Sequence, residues 1–339
     1  MRTVFTGASL VDGLHPTQPR KTVVVEGARI AEVGDDGAVA ARPGDRLIEL
    51  GGMTLMPGMV QSHFHSHFGA FGEGVTAPAL GLEAAPPYLS MLAAVNARTA
   101  LECGLTSAIG SSNAFAIDVS LKEAILTGMI PGPRYLAGSR ELVATGEASD
   151  YPNNRNFFME LGCTGLTRAA NGADGWRQAA REEAGRGVDV LKISAGPGHG
   201  SSPARDFMYP TREELRAAVD EMHKRGKKVR AHAPSRTAIL ECARAGVDII
   251  DHADRIDDAC IEAILDAGSC VVPSMLWSKR FLEIAESWDH DAQVLPISEG
   301  FRETPAQVRA RIAAVREDYE YTLQAIPAAA AAGVPMIVG

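Results

Sequence analysis

Along the first 56 residues, hydrophobic and polar positions alternate in short runs: Thr3 to Phe5, Thr22 to Glu26, Arg29 to Val33 and Arg46 to Leu50. A period of two, interrupted by glycine-containing turns such as Glu26-Gly27, predicts a small sheet without helices. After Met56-Pro57-Gly58 the pattern changes. Short apolar runs now alternate with stretches whose apolar residues recur every three or four positions, the mark of parallel βαβ units. Eight strand candidates follow: Met59 to His63, Leu105 to Ile109, Arg134 to Ala137, Val188 to Ser194, Lys228 to His232, Asp248 to His252, Cys270 to Pro273 and Val334 to Val338. The clearest helix opens with a capping box at Thr211 and Glu214. It places Leu215, Ala218, Val219 and Met222 on one face and ends at Gly226. Another begins at Thr304, with Pro305 at its first position and Gln307 completing the box. This order predicts an α/β fold: a (β/α)8 TIM-like barrel over residues 57–339, ending after its eighth strand. A small N-terminal β-sandwich portion, residues 1–56, precedes it. A doubly wound open sheet is the competing architecture. It normally carries a glycine-rich turn after its first strand, where this chain has His63-Phe64-His65.

Composition narrows the function classes. With 339 residues, 46% of them hydrophobic, the chain can bury a large core and is not disordered. A net charge of -9, with no basic cluster denser than Lys224 to Lys228, argues against nucleic acid as a partner. Cys103, Cys163, Cys242, Cys260 and Cys270 are scattered and form no C-x-x-C pair, which argues against a disulfide framework or a thiolate metal site and fits a reducing compartment. The N-terminus lacks the apolar core of a signal peptide, and the Ala-rich stretch Ile326 to Val338 is too short to span a bilayer. A soluble, cytoplasmic protein with no membrane partner is expected.

Five residues able to hold a metal, His63, His65, Lys192, His232 and His252, fall at or beside the carboxyl ends of candidate strands, where a barrel of this kind carries its chemistry. His63 and His65 are two apart, so both rings point to one face and can grip a single ion. Alone, an H-x-H is as often a pair of polar residues at a strand end. Lys192 lies in Val-Asp-Val-Leu-Lys-Ile-Ser, a run suited to a strand buried on both faces. An ammonium there needs a partner or a depressed pKa. A neutral amine can take up carbon dioxide as a carbamate that bridges two cations; the plainer alternatives are a snorkelling lysine or one paired with a carboxylate. His232 and His252 close the fifth and sixth strands. Singly each reads as a structural histidine, but their convergence with the others describes a metal site.

His67 extends the histidine pattern into the following loop. His199, in Gly196-Pro-Gly-His-Gly200, overhangs the site and is a candidate substrate contact, as are Tyr209 and Arg140. Arg155, Arg205 and Arg280 share with Arg140 the ability to grip a substrate carboxylate. Phe64, Phe68, Phe71, Tyr88, Tyr151, Phe157, Phe158, Met275, Trp277 and Phe281 either wall an apolar pocket or pack the loops onto the barrel. His15, His223 and His290 read as solvated. Arg230, two residues before His232, should point into the barrel and needs an inward carboxylate as partner.

The motifs Met56-Pro-Gly-Met-Val-Gln-Ser-His-Phe-His65, Gly132-Pro-Arg-Tyr-Leu-Ala-Gly-Ser-Arg140, Gly187-Val-Asp-Val-Leu-Lys-Ile193, Ala231-His-Ala233 and Ala245-Gly-Val-Asp-Ile-Ile-Asp-His252, in this order, resemble the amidohydrolase superfamily. Within it they resemble the prolidase-like and imidazolonepropionase-like branch. The resemblance implies that His63 and His65 bind the more buried ion, that a carboxylated Lys192 bridges, and that His232 and His252 bind a second ion. It makes Lys192 and His252 catalytic. It implies two divalent ions, zinc foremost, and carbon dioxide or bicarbonate to carboxylate Lys192. The implied reaction is hydrolysis of an amide-like bond in a small amide, dipeptide, carbamate or urea by a hydroxide bridging the two ions. It also implies a homo-oligomer, and that the early strands belong to a composite β-sandwich normally completed after the barrel. Three departures stand out. Gln61 takes the place of a frequent Asp, and Asp251-His252-Ala253 the place of a frequent Glu-His-Gly. The family's strand-eight aspartate would come directly after Gly339, so the native polypeptide is expected to continue and supply it. The alternatives are a mononuclear deaminase of the same superfamily, which usually lacks a lysine ligand, and a catalytically silent metal-binding barrel or binding module.

Overall fold

A computed structural model describes residues 1–69, 85–147, 165–287 and 304–338. The chain divides into two compact units, Met1–Met59 and Val60–Gly339. The first holds β1 (Arg2–Leu10), β2 (Gln18–Glu26), β3 (Arg29–Asp35), β4 (Arg46–Glu49) and β5 (Thr54–Leu55). These form one sheet in the order β3-β2-β1-β4, with β5 paired to β1. Its hairpins β1-β2 and β2-β3 are antiparallel, whereas β4 and β5 run parallel to β1. Val4, Ala8, Val23 and Val24 are buried in it.

The second unit alternates strands and helices, as its hydrophobic pattern requires. In chain order they are β6 (Met59–Phe64), α1 (Pro86–Glu102), β7 (Leu105–Gly110), α2 (Ile117–Leu126), β8 (Arg134–Leu136), β9 (Gly138–Val143), β10 (Thr167–Ala169), α3 (Gly172–Arg186), β11 (Val190–Ser194), α4 (Arg212–His223), β12 (Lys228–Ala233), α5 (Arg236–Ala245), β13 (Ile249–His252), α6 (Asp258–Ala267), β14 (Cys270–Val272), α7 (Met275–Glu286) and α8 (Pro305–Ala331). The caps read from sequence are formed: Thr211 with Glu214 and Thr304 with Gln307 both make capping boxes. Among the described residues no helix is long and apolar enough to cross a membrane.

The strands form a parallel, TIM-barrel-like arrangement in two sheets, β6-β7-β8 and β10-β9-β11-β12-β13-β14. The candidate third strand is split into β8 and β9, one in each sheet, with buried Ala137 between them. The candidate eighth strand is a single parallel bridge, Met336 to Val271, because Pro335 has no N–H to extend a ladder. Its backbone still reaches both neighbours: Ile337 donates to the Val271 carbonyl, and the Ser62 N–H donates to the Val338 carbonyl on the β6 side.

Period-two alternation decides what each strand presents. Leu191, Ile193, Val229, Ala231, Ile250 and Val271 join Trp176, Leu215, Met222, Ile239 and Ile264 in one apolar core. The alternate residues Lys192 and Ser194 pair in register with Arg230 and His232, leaving chemistry on the opposite face of the sheet.

Candidate metal centre

His63 and His65 project from the end of β6 with their Nε2 atoms 3.1 Å apart. His65 donates its Nδ1 hydrogen to the Ser112 carbonyl at 3.0 Å, which leaves its Nε2 as a lone pair. His63 Nδ1 meets an Arg230 Nη2 donor at 3.0 Å and Asp251 Oδ1 at 3.3 Å. Two nitrogens at 2.0–2.1 Å on one tetrahedral ion would lie about 3.3 Å apart, so this pair already has the spacing of a chelate. A ligating histidine whose other nitrogen is bonded to a carbonyl or carboxylate is the usual pattern around protein metals.

Beneath the pair lies a buried charge network. Asp251 accepts from Arg230 Nη2 at 2.6 Å and Nε at 3.1 Å, and from Lys192 Nζ at 2.9 Å. Arg230 Nη1 donates to the Ser62 carbonyl at 2.6 Å and to the Gly110 carbonyl at 3.1 Å. One guanidinium therefore joins β6, β7, β12 and β13. Burial alone would raise the Asp251 pKa, but Arg230, Lys192 and His63 outweigh it and hold the carboxyl well below its usual range. The inward carboxylate that Arg230 required is thus Asp251, the residue read from sequence only as a departure at strand six. Lys192 is buried and carboxylate-paired, one of the two plainer alternatives.

His232 and His252 complete the cluster, with ring centroids 4.6 Å apart and His252 5.1 Å from His63. His232 Nε2 donates to the Gly198 carbonyl at 3.1 Å. His252 Nδ1 is buried without a hydrogen-bond partner. Burial lowers the pKa of all four rings: to about 3 for His65 and His232, and well below the ordinary value for His63 and His252. They are therefore neutral at pH 7, the form in which imidazole binds a cation.

His199 joins this group. Its ring stacks on His252 at 3.7 Å, its Nδ1 donates to Asp254 at 3.0 Å, and its Nε2 is buried without a partner. His199, His252 and Ala253 all adopt positive φ, of 80°, 71° and 53°, a strained choice for residues with a Cβ. Asp254 was not picked out from the sequence, and neither was Glu141. Glu141 pairs in register with Lys192, and burial raises its pKa against the opposing pull of Lys192. Asp254 lies two residues past strand six, a placement too common to single it out. Glu141 lies four past the third candidate strand and joins a strand only because that strand is split.

Other candidates go elsewhere. Arg140 is turned to the helix side of β9, where its Nε and Nη2 donate to buried Glu183 of α3 at 2.8 and 2.6 Å. It is next to inward Glu141, so alternation sends it the other way. Tyr209 docks by its N–H on the Ala195 carbonyl and its ring stands against Phe207. Phe281 is buried between α7 and α8 rather than in a pocket wall. His67 is fully buried with neither ring nitrogen bonded, and burial lowers its pKa to about 4. His15 and His223 are at the surface beside Asp12 and Asp248. Phe71, Tyr151, Arg155, Phe157, Phe158, Cys163 and His290 lie outside the described residues.

Among the described residues no three His, Cys, Asp or Glu side chains are disposed as a finished cage. The donor set nonetheless fits a divalent cation: neutral buried imidazoles, two at chelating distance, and two orphaned ring nitrogens on His252 and His199.

Ochratoxinase of Aspergillus niger is 25% identical over 256 residues, which cover 69% of this chain and 52% of that protein. An uncharacterized protein of Mycobacterium tuberculosis is 30% identical over 125 residues, 37% of this chain and 29% of its own length. The chain thus spans about half or less of these relatives. A solved Xaa-Pro dipeptidase with bound methionine superposes with a TM-score of 0.81 at 22% identity, over 100% of this chain and 79% of that one. A prolidase complexed with n-methylphosphonate-l-proline gives 0.78 at 26%, over 100% and 78%. The model of the amidohydrolase family matches residues 54–291, and the chain belongs to that family.

Proposed function

We propose that the protein is a metal-dependent hydrolase of carbon–nitrogen bonds, working on a small amide, dipeptide, carbamate or urea. The observation that carries this reading is the His63–His65 pair, two neutral buried imidazoles with Nε2 atoms 3.1 Å apart, facing His232 and His252. The names of relatives and neighbours, a dipeptidase, a phenylurea hydrolase and an N-acyl-D-glutamate deacylase, support the bond type. In this reading the two sheets belong to one closed (β/α)8 barrel, supported by the Val338 to Ser62 hydrogen bond.

His63 and His65 would hold one divalent ion, zinc foremost, and His232 and His252 a second, with a carboxylated Lys192 between them. Such ions supply Lewis acidity toward the scissile carbonyl and acidify water. The chain's own contribution is positional. The Ser112 carbonyl fixes the tautomer of His65, Asp251 and Arg230 seat His63, and the Gly198 carbonyl turns His232. His199, held by Asp254, presents its Nε2 to the substrate.

A second reading keeps Lys192 as an ammonium paired with buried Asp251, a contact its Nζ makes at 2.9 Å. A mononuclear centre would leave Lys192 in that pair. Metal content after loading with zinc, with and without bicarbonate, separates the two: two ions and bicarbonate dependence support the binuclear centre, one ion without it the mononuclear. Screening amides, dipeptides, carbamates and ureas tests the activity itself; no turnover by a metal-loaded protein would remove the hydrolase reading.

A further inference from the structure

Asn96 sits near the middle of α1, a position where asparagine is a poor choice because its side chain competes for nearby backbone groups. Here the half-buried amide reaches away from its own helix. Its Nδ2 donates to the Ser66 carbonyl at 2.8 Å and to the Phe68 carbonyl at 3.0 Å, on the loop that leaves β6. Both partners are acceptors, so each takes one of the two amide hydrogens. Neither a carboxylate nor a hydroxyl could supply both.

The segment held in this way is a tight turn. The Phe68 N–H donates to the His65 carbonyl at 3.2 Å, and between them Ser66 Oγ donates to buried Asp118 of α2 at 2.5 Å. The turn folds Phe68 back over the residue that opens it. Its ring lies flat on the His65 imidazole, with centroids 4.2 Å apart and planes 6° from parallel. His65 therefore carries two restraints of different kinds. The Ser112 carbonyl at Nδ1 fixes one point of the ring, and the Phe68 face fixes its plane. A hydrogen bond to a carbonyl has a broad angular well, so the stacked face is what narrows the rotation of the ring.

We propose that Asn96 is a positioning residue for His65, acting through the turn to hold Phe68 flat against the imidazole and so to aim its Nε2. This rests on reading His65 as a metal ligand. The test uses the whole chain, stripped of metal, with cobalt(II) as the probe. Cobalt affinity by chelator competition and the visible absorption of the bound ion are measured for N96L, F68L, F68Y and H65Q. K122M, which breaks the Lys122–Asp189 pair, is the control for general destabilisation. N96L and F68L are expected to lower cobalt affinity by roughly ten-fold or more, the usual effect of losing a group that orients a ligand, and to shift the absorption bands. F68Y keeps the flat face and should match the parent, and K122M should lower Tm alone. If N96L does not fold, F68L and F68Y carry the test. Parent affinity and absorption in folded N96L or folded F68L, or an F68Y as weak as F68L, overturn the proposal; loss of affinity in H65Q then leaves the hydrolase reading intact. If H65Q also binds cobalt as the parent does, both fall together.

Discussion

Residue chemistry explains why this site tolerates backbone that most side chains avoid. His199 sits at φ 80° between Gly198 and Gly200, and a Cβ at Gly200 would fall 1.5 Å from the Trp277 ring, so the loop has no room to relax. His199→Gly is expected to be more stable than His199→Ala by about 1 kcal/mol, since both lose the imidazole and only Ala keeps the left-handed penalty. Equal urea midpoints for the two would show that the backbone is not strained. Asp254→Asn removes the charged acceptor of His199 Nδ1 at 3.0 Å, a bond worth about 1.5–3 kcal/mol, and the loss should appear in chemical denaturation. The sequence exposed His199 as a histidine in a glycine-rich loop. It did not expose Asp254, because a carboxylate two residues past a strand end is unremarkable until the fold lays one loop against the other.

Among elements, the close approach of β7 and β9 is the feature with the least tolerance. A Cβ on Gly138 would lie 2.1 Å from the Ser111 carbonyl oxygen, and one on Gly110 would lie 2.5 Å from the Gly138 nitrogen. These obstacles are backbone, which cannot swing aside. Gly138→Ala should therefore cost about 3 kcal/mol or more. Gly268, which ends α6 at φ 67° with open space around it, should cost only about 1 kcal/mol when changed to Ala. Similar losses in urea unfolding for both would contradict the steric origin. Helix caps and strand positions were largely legible, since they depend on local hydrogen bonds and side-chain period. The split of strand three was not, because it depends on which sheet each half pairs with, and the effect of Pro335 on strand eight shows only once Val271 is its partner.

For the whole molecule, buried ionisable groups set opposing dependences on pH. His65 and His232 have folded pKa values lowered to about 3 from 6.5, so below pH 6.5 the unfolded chain binds protons that the folded one rejects. Their contribution is full above that value and is lost as pH falls toward 3. The metal-free protein should lose about 4 kcal/mol from these two rings between pH 7 and pH 5. Asp118 acts oppositely. Burial raises its pKa to about 6, against the hydrogen bonds from Ser66 and the Gly138 N–H, so its contribution is full below 3.8 and is lost as pH rises through 6. Asp118→Asn should therefore gain about 1–2 kcal/mol relative to the parent between pH 5 and pH 7.5. Denaturant unfolding across that range reads both effects, and a parent protein with flat stability from pH 7 to pH 5 would contradict the first.

The sequence alone determined that hydrophobic period changes after Met56, that parallel strand–helix units follow, and that imidazoles and a lysine end several of those strands, because each of these is local in the chain. Only the tertiary structure decided which groups meet. It tied Arg230 and Lys192 to Asp251, stacked His199 on His252, and turned Arg140 outward to Glu183. Pairing of buried charges depends on the register between strands and on which face alternation selects. Those are relations between segments far apart in sequence, and no single run of residues contains them.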